Sequence, residues 1–226
     1  MIGRGTSASP ALLMASQLLD PDIALAAADP RSDAHRLLAD EFPAIATAVP
    51  KRQCEFSAGR TAARQAMAGL GLAPQPVPSG DDRAPRWPAH LVGSITHTDH
   101  DCLAAVAHAR DVQMLGIDLE PATPLDGQDW DTVCTAGEQQ WLALQSDPGL
   151  MAKLIFCIKE ATYKAQYPQS RTVFGFDVIE TEIDHDSQRF SARFVRDVDP
   201  FQGGDTLAGR FAIGYGLIVA VVAVRA

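Results

Sequence analysis

Leu115, Ile117 and Leu119 alternate with Gly116, Asp118 and Glu120, and few folds accommodate that pattern with two acids on one side of it. A two-residue period is that of a β-strand, so Asp118 and Glu120 share a face. They sit roughly 6.5 Å apart along it, close enough to converge on one hard cation if a packed helix supplies a third acid. A helix is at hand between Leu150 and Tyr167. Leu150, Leu154, Ile155, Ile158, Ala161 and Ala165 recur at the spacing of one buried helix face. Lys153, Cys157, Glu160 and Lys164 then fall on another, and Glu160 is the obvious third acid. Pro168 is expected to end the helix.

The chain has 226 residues, 46% hydrophobic and 21% charged, enough to bury the core of one large or two small domains. A net charge of -9 argues against a nucleic-acid partner, whose binding comes from neutralising phosphates. Cys54, Cys102, Cys134 and Cys157 stand singly, without a C-x-x-C pair, so reduced thiols in the cytoplasm are expected rather than disulfides or a zinc site. No compact apolar stretch precedes Asp20, which does not look like a signal peptide. The uncharged run Phe211–Val224, interrupted by Gly214 and Gly216, is too short for a membrane span and reads as sheet strands.

Residues 1 to about 30 are rich in Ala, Ser, Pro and Asp and are expected to be irregular, with Leu12, Leu13 and Leu18 padding the surface. A short helix from Asp33 to Phe42, with Ser32 as N-cap, is expected next. A longer one runs from Lys51 to Leu70, with Phe56, Ala63, Met67 and Leu70 facing the core and Gly71 as its stop. Its arginines Arg52, Arg60 and Arg64 fit either a solvated basic face or an anion site. Five prolines between Leu72 and His90 make a long loop carrying Arg83, Arg86 and Trp87. Leu91–Thr96 and Cys102–Ala109 read as a hairpin whose tip holds His97 and His100; a metal role for these two is disfavoured. Thr135 and Glu138 match a capping box. Val173–Ile183 and Phe190–Val198 alternate like strands, and Leu207–Val224 reads as a hairpin turning at Gly214 and Gly216. Each half then holds one long helix and several antiparallel strands, an α+β pattern met twice.

Several of these stretches resemble one family. Gly116-Ile117-Asp118-Leu119-Glu120 is similar to the G-[VI]-D-x-E motif of the Sfp-type 4'-phosphopantetheinyl transferases, and Phe156-x-x-Lys159-Glu160-Ala161-x-x-Lys164 to their [WF]-x-x-K-E-[SA]-x-x-K. Gly93-Ser94-Ile95-Thr96-His97, Arg52-x-x-Glu55-Phe56-x-x-Gly59-Arg60 and Ala84-Pro85-x-Trp87-Pro88 resemble the enterobactin synthetase component D branch. In order and spacing the matches cover residues 52 to 164. His90 departs from the branch, which usually has glycine after W-P-x.

The resemblance implies a pseudo-twofold pair of α+β subdomains, 1–112 and 113–226, each a small mostly antiparallel sheet on a long helix, with the active site in the cleft between. It implies transfer of the 4'-phosphopantetheine arm of coenzyme A to a serine of an apo acyl or peptidyl carrier protein, with release of adenosine 3',5'-bisphosphate. Asp118, Glu120 and Glu160 would hold Mg2+, for which Mn2+ can substitute. A carboxylate near the metal, Glu160 foremost, would take the serine proton directly or through water, and Lys164 would steady the leaving phosphate. Arg52, Arg60, Arg83 and His97 match positions that bind the adenosine and its 3'-phosphate, Thr96 would add a hydroxyl or backbone contact, and Lys159 and Lys164 are also placed on the coenzyme A side.

A cytoplasmic monomer without a membrane span, serving siderophore-type peptide or polyketide synthesis, is the expectation. Carrier docking is assigned to apolar contacts and a basic patch of Lys153, Lys159 and Arg171. The rivals are a non-catalytic carrier-binding module, against which the acids and Lys164 argue, and an unrelated magnesium-dependent nucleotide hydrolase. The chain lacks the G-x-x-x-x-G-K-[ST] loop such a hydrolase would be expected to use.

Overall fold

The computed structural model describes residues 9–226. Two antiparallel sheets carry the chain, each on its own long helix. The first has the order β1-β3-β2, from Ala24–Ala28 (β1), Leu91–His97 (β2) and Cys102–His108 (β3), and packs on α2, Pro50–Gly69. The second has the order β4-β8-β7-β6-β5, from Val112–Pro121 (β4), Ile179–Asp184 (β5), Arg189–Phe194 (β6), Thr206–Gly214 (β7) and Leu217–Arg225 (β8). After two short helices, Trp130–Val133 (α3) and Ala136–Leu142 (α4), comes the helix on which it packs, α5, Pro148–Ser170.

Local chemistry accounts for the ends of these elements. Proline opens both long helices, where its missing N–H has no bond to lose. Gly71 follows α2 at φ 73°, the left-handed conformation that suits glycine after a helix. β7 and β8 join through Tyr215 and Gly216 at φ 52° and 73°, both left-handed as a two-residue hairpin turn requires. The turn is therefore one residue later than Gly214, which closes β7.

Between the sheets lies a seam of two edge strands. β2 and β4 are the outer strands of their sheets, and an edge strand presents unpaired N–H groups. Here β2 side chains satisfy them: Ile117 N–H donates to Ser94 Oγ at 3.0 Å and Leu119 N–H to Thr96 Oγ1 at 3.1 Å. The opposite face of the seam is closed by α1, Pro10–Leu18. Its Ala11, Met14, Ala15 and Leu18 share one core with Leu103 and Ala105 of the first sheet and with Leu115, Ile117, Leu119, Val219 and Val221 of the second.

Several expectations need correction. Residues 9–28 of the supposedly irregular entry form α1 and β1, and Leu18 is core rather than padding; residues 1–8 lie outside the described residues. No helix spans 33–42. The turn is a 3-10 helix from Ala39 to Ile45, started by Glu41, whose Oε2 accepts from Leu38 N–H at 2.9 Å. Ser32 instead accepts from Ala34 N–H. Helix α5 continues past Pro168 to Ser170, where Arg171 adopts φ 51° and donates its N–H to Tyr167 O at 2.9 Å. The strand expected from Val173 begins only at Ile179, because Phe174 and Phe176 turn in against Tyr163 and Phe156.

Candidate active site

The strand β4 brings its two faces to different partners. Leu115, Ile117 and Leu119 point into the core under α1, so Gly116, Asp118 and Glu120 face α5. Gly116 lets the two elements touch: a Cβ there would lie 2.0 Å from Ala161 O and 2.8 Å from Ala165 N. That approach sets Asp118 against Lys164, whose Nζ donates to Asp118 Oδ1 at 2.6 Å. Thr96 Oγ1 donates to the same oxygen at 3.1 Å while accepting from Leu119 N–H. The other oxygen, Oδ2, is buried and makes no hydrogen bond.

Glu120 is held separately, by Lys153 Nζ at 2.5 Å, and that ammonium also stands over the Phe156 ring, 4.8 Å from its centroid. Burial raises the Glu160 pKa; Lys164 pulls it down, and Asp118 and Glu120 push it further up. For Lys164, burial disfavours the charge, yet the attraction of Asp118 and then Glu160 outweighs it, so its pKa is raised and it stays an ammonium. Asp118, Glu120, Glu160 and Lys164 all line one cavity of about 780 Å³.

The expected convergence of the three acids is not what the side chains do. Among the described residues no three Asp, Glu, His or Cys groups stand close enough to hold a metal. Unpaired carboxylates repel, and here Asp118 and Glu120 have each turned to a lysine instead.

On the side of the first sheet the cavity gathers its arginines: Arg52, Arg60, Arg83 and His97 line it, with Ile45, Phe56 and Ser79 and with the acids Asp40, Glu55 and Asp81 among them. Glu55 Oε2 lies 3.4 Å from Arg52 Nη1. Arg52 Nη1 lies 3.2 Å from His97 Nε2. Arginine can only donate, so Nε2 accepts and the ring proton belongs on Nδ1. Burial, with Arg52 beside it, lowers the His97 pKa, although Glu55 pulls the other way. Arg60 runs back into the protein. Its Nε donates to Val77 O at 2.6 Å and Nη2 to Ser79 Oγ at 3.1 Å, its guanidinium lies 3.9 Å over the Phe56 ring, and burial pushes its pKa down to about 10.

Of the ten residues singled out from sequence, nine line this cavity and Lys159 does not. Lys159 is 2% exposed, and its ammonium donates to Glu138 Oε2 at 2.7 Å, Val133 O at 2.8 Å and Phe176 O at 3.0 Å. Three acceptors use its three protons, so it ties α5 to the turns around it and leaves no donor for coenzyme A. Glu138 does cap its helix as expected, accepting from Thr135 N–H, but its other oxygen takes Thr181 as well. Thr96 is at the cavity wall with its hydroxyl committed within the protein, so it holds Asp118 rather than a ligand.

The basic docking patch dissolves likewise: Lys159 is buried, Lys153 is paired with Glu120, and Arg171 lies near Asp82, about 27 Å along the helix from Lys153. The residues that sequence reasoning missed are Ser79 and Phe56, which seat Arg60, and the wall from Asp40 to Ile45. Phe56 reads from sequence as a core residue of α2 and as part of the Arg52–Arg60 motif, but neither reading gives it the seat under the Arg60 guanidinium.

Comparison with known proteins identifies the family. The 4'-phosphopantetheinyl transferase N-terminal domain matches residues 40–107, and the 4'-phosphopantetheinyl transferase superfamily matches residues 114–213. The chain is 40% identical over 201 residues to 4'-phosphopantetheinyl transferase Svp of Streptomyces mobaraensis, covering 84% of this chain and 79% of that protein. It is 34% identical over 189 residues to 4'-phosphopantetheinyl transferase Npt of Nocardia iowensis, covering 79% and 85%. To enterobactin synthase component D of Salmonella typhi it is 36% identical over 135 residues, 56% of this chain and 53% of that one. The two domain matches flank the start of β4, and the likeness to Svp spans most of both chains; the chain belongs to the 4'-phosphopantetheinyl transferases of the Sfp and enterobactin synthase component D type, which move the 4'-phosphopantetheine group of coenzyme A to a carrier protein.

Proposed function

We propose that this enzyme uses a divalent cation, Mg2+ by preference and Mn2+ in its place, to load a carrier-protein serine in a siderophore-type peptide or polyketide pathway. The observation that supports this most is the single cavity with three acids and Lys164 on one wall and Arg52, Arg60, Arg83 and His97 on the other. That division suits a donor with a phosphorylated nucleotide at one end and a reacting pyrophosphate at the other.

The chemistry of the donors fits a hard cation. Asp118 Oδ2 is a buried oxygen without a partner, and Glu120 and Glu160 are on the same cavity. Asp118, Glu120 and Glu160 would be its ligands, with pyrophosphate oxygens and water. When bound, the ion would draw charge from the pyrophosphate oxygens.

The protein's own part is positioning and proton handling, because phosphoryl transfer asks for little covalent help. Arg52, with neutral His97 beside it, and Arg60 and Arg83 hold the nucleotide end. Glu160, kept basic by burial, takes the serine proton. Lys164 stays charged and meets the negative charge that grows on the departing adenosine 3',5'-bisphosphate.

Incubation with coenzyme A, Mg2+ and an apo carrier domain should add the phosphopantetheine mass to the carrier, and EDTA should abolish it. A carrier that never gains mass would favour the non-catalytic binding module. Undiminished transfer in EDTA would sink the metal assignment.

A further inference from the structure

Outside the cavity, one carboxylate gathers more contacts than its sequence position suggested. Glu41 is 0% exposed and accepts at both oxygens. Oε1 takes Val77 N–H at 2.9 Å and Arg64 Nη1 at 2.8 Å, and Oε2 takes Leu38 N–H at 2.9 Å and the same Arg64 nitrogen at 2.6 Å. Arg64 Nη2 reaches back to Arg36 O. Three separate segments therefore meet on one side chain: the 36–38 stretch, helix α2 and the proline-rich loop at Val77.

None of Glu41, Arg64 or Val77 lines the cavity, but each is bonded or adjacent to something that does. Asp40, Pro43, Ala44 and Ile45, in the same 3-10 turn as Glu41, form the cavity wall. Val77, whose N–H binds Glu41, offers its carbonyl to Arg60 Nε. Arg60 and Arg64 are one turn apart on α2, and the acid goes to Arg64. Arg60 is left buried among neutral acceptors, Val77 O and Ser79 Oγ, with no carboxylate hydrogen-bonded to it. Burial lowers its pKa only to about 10, so Arg60 is still a cation at neutral pH, and without a carboxylate partner its charge is open to an anionic ligand.

We infer that Glu41, through Arg64 and Val77, is a positioning residue that aims Arg60 and the 40–45 wall at a phosphate of the donor's nucleotide. The inference rests on the reading that the arginine-bearing side of the cavity receives that nucleotide. Neutralising Arg64 keeps the acid from Arg60, and anchoring Val77 fixes the carbonyl that orients it. Glu41 itself touches no substrate.

The test compares coenzyme A with dephospho-coenzyme A as donors for the purified enzyme with Mg2+ and apo carrier. The unmodified protein should prefer coenzyme A by about tenfold or more in kcat/KM, the worth of one charge-assisted contact. Glu41→Gln should cut that preference at least threefold by raising KM for coenzyme A, with kcat and the carrier KM unchanged. Arg64→Lys, which keeps the charge but not the fork, should fall between the two. A folded Glu41→Gln with full preference, or one that loses kcat with both donors alike, overturns the inference. If Glu41→Gln does not fold, Arg64→Lys decides the matter, and an undiminished preference there overturns it. No preference in the unmodified protein would instead remove the nucleotide assignment, and the inference with it.

Discussion

Replacing Gly116 by alanine adds one methyl group at the point where the strand of Asp118 touches the helix of Glu160 and Lys164. The new Cβ would lie 2.0 Å from Ala161 O, 2.8 Å from Ala165 N and 2.9 Å from Ala165 Cβ. Two of those atoms are backbone, so no side chain can swing aside, and β4 and α5 must part by about 1 Å. Such overpacking costs about 1–3 kcal/mol of stability. The Lys164–Asp118 contact, now 2.6 Å, would stretch to about 3.6 Å, beyond hydrogen-bonding range. A misplacement of ~1 Å among reacting groups is worth about 10²-fold in rate. Urea unfolding should therefore show a lower midpoint at unchanged slope, and kcat of the folded protein should fall by about 10².

Gly209→Ala is the control, because its Cβ would meet Val221 O at 2.4 Å and the Phe190 ring at 2.1 Å, in the sheet rather than beside the cavity. It should lose comparable stability and keep its kcat. Equal loss of kcat in both variants, or a normal kcat in a destabilised Gly116→Ala, would show that the β4–α5 spacing does not govern the reaction.

Lys164→Met should lower kcat by about 10² or more while coenzyme A affinity falls less, since the contact strengthens as charge develops; a near-normal kcat with saturating substrates would confine Lys164 to its pair with Asp118. Lys159→Met should cost about 3–5 kcal/mol by leaving the buried Glu138 carboxylate without its cation; the folded variant should keep its KM for coenzyme A, and a raised KM would return Lys159 to the substrate site. His97 supplies a pH test: burial lowers its pKa in the folded state, so below about 6.5 the unfolded chain binds more protons and stability falls with acidification. Urea midpoints at pH 7.5 and 5.5 should diverge more in the unmodified protein than in His97→Gln, and equal losses would refute a neutral His97.

What could be read from the sequence were the elements whose side chains obey a period. β4 and α5 carry strong alternation and a clear apolar stripe, and the two glycine-bearing turns announce themselves by residue type. α1 could not be found that way, since its Ala11, Met14, Ala15 and Leu18 are held by strands about a hundred and two hundred residues away in sequence. Lys159 illustrates a different limit. Helical spacing says that it points about 100° from Glu160 but not which direction faces the cavity, and only the Glu138 contact supplies that. Glu41 lay inside a stretch read as an ordinary helix, where nothing in one dimension ties it to Arg64 or Val77.

The motif around Ser94 and Thr96 shows how a family signature can be structural where it looks like ligand chemistry. β2 and β4 run side by side without a backbone ladder, and two hydroxyls, two residues apart, accept from the N–H groups of Ile117 and Leu119. A one-residue slip would turn both hydroxyls to the other face, so this spacing fixes the register between the two sheets. Register matters here because His97 extends from β2 and Asp118 from β4, and each contributes to one wall of the same cavity. Thr96 adds a second bond to Asp118 Oδ1, so the residue that locks the seam also orients the buried acid. The active site is thus placed where the sheets abut because the same hydroxyls that satisfy an exposed strand edge align the acidic wall with the arginine-bearing one.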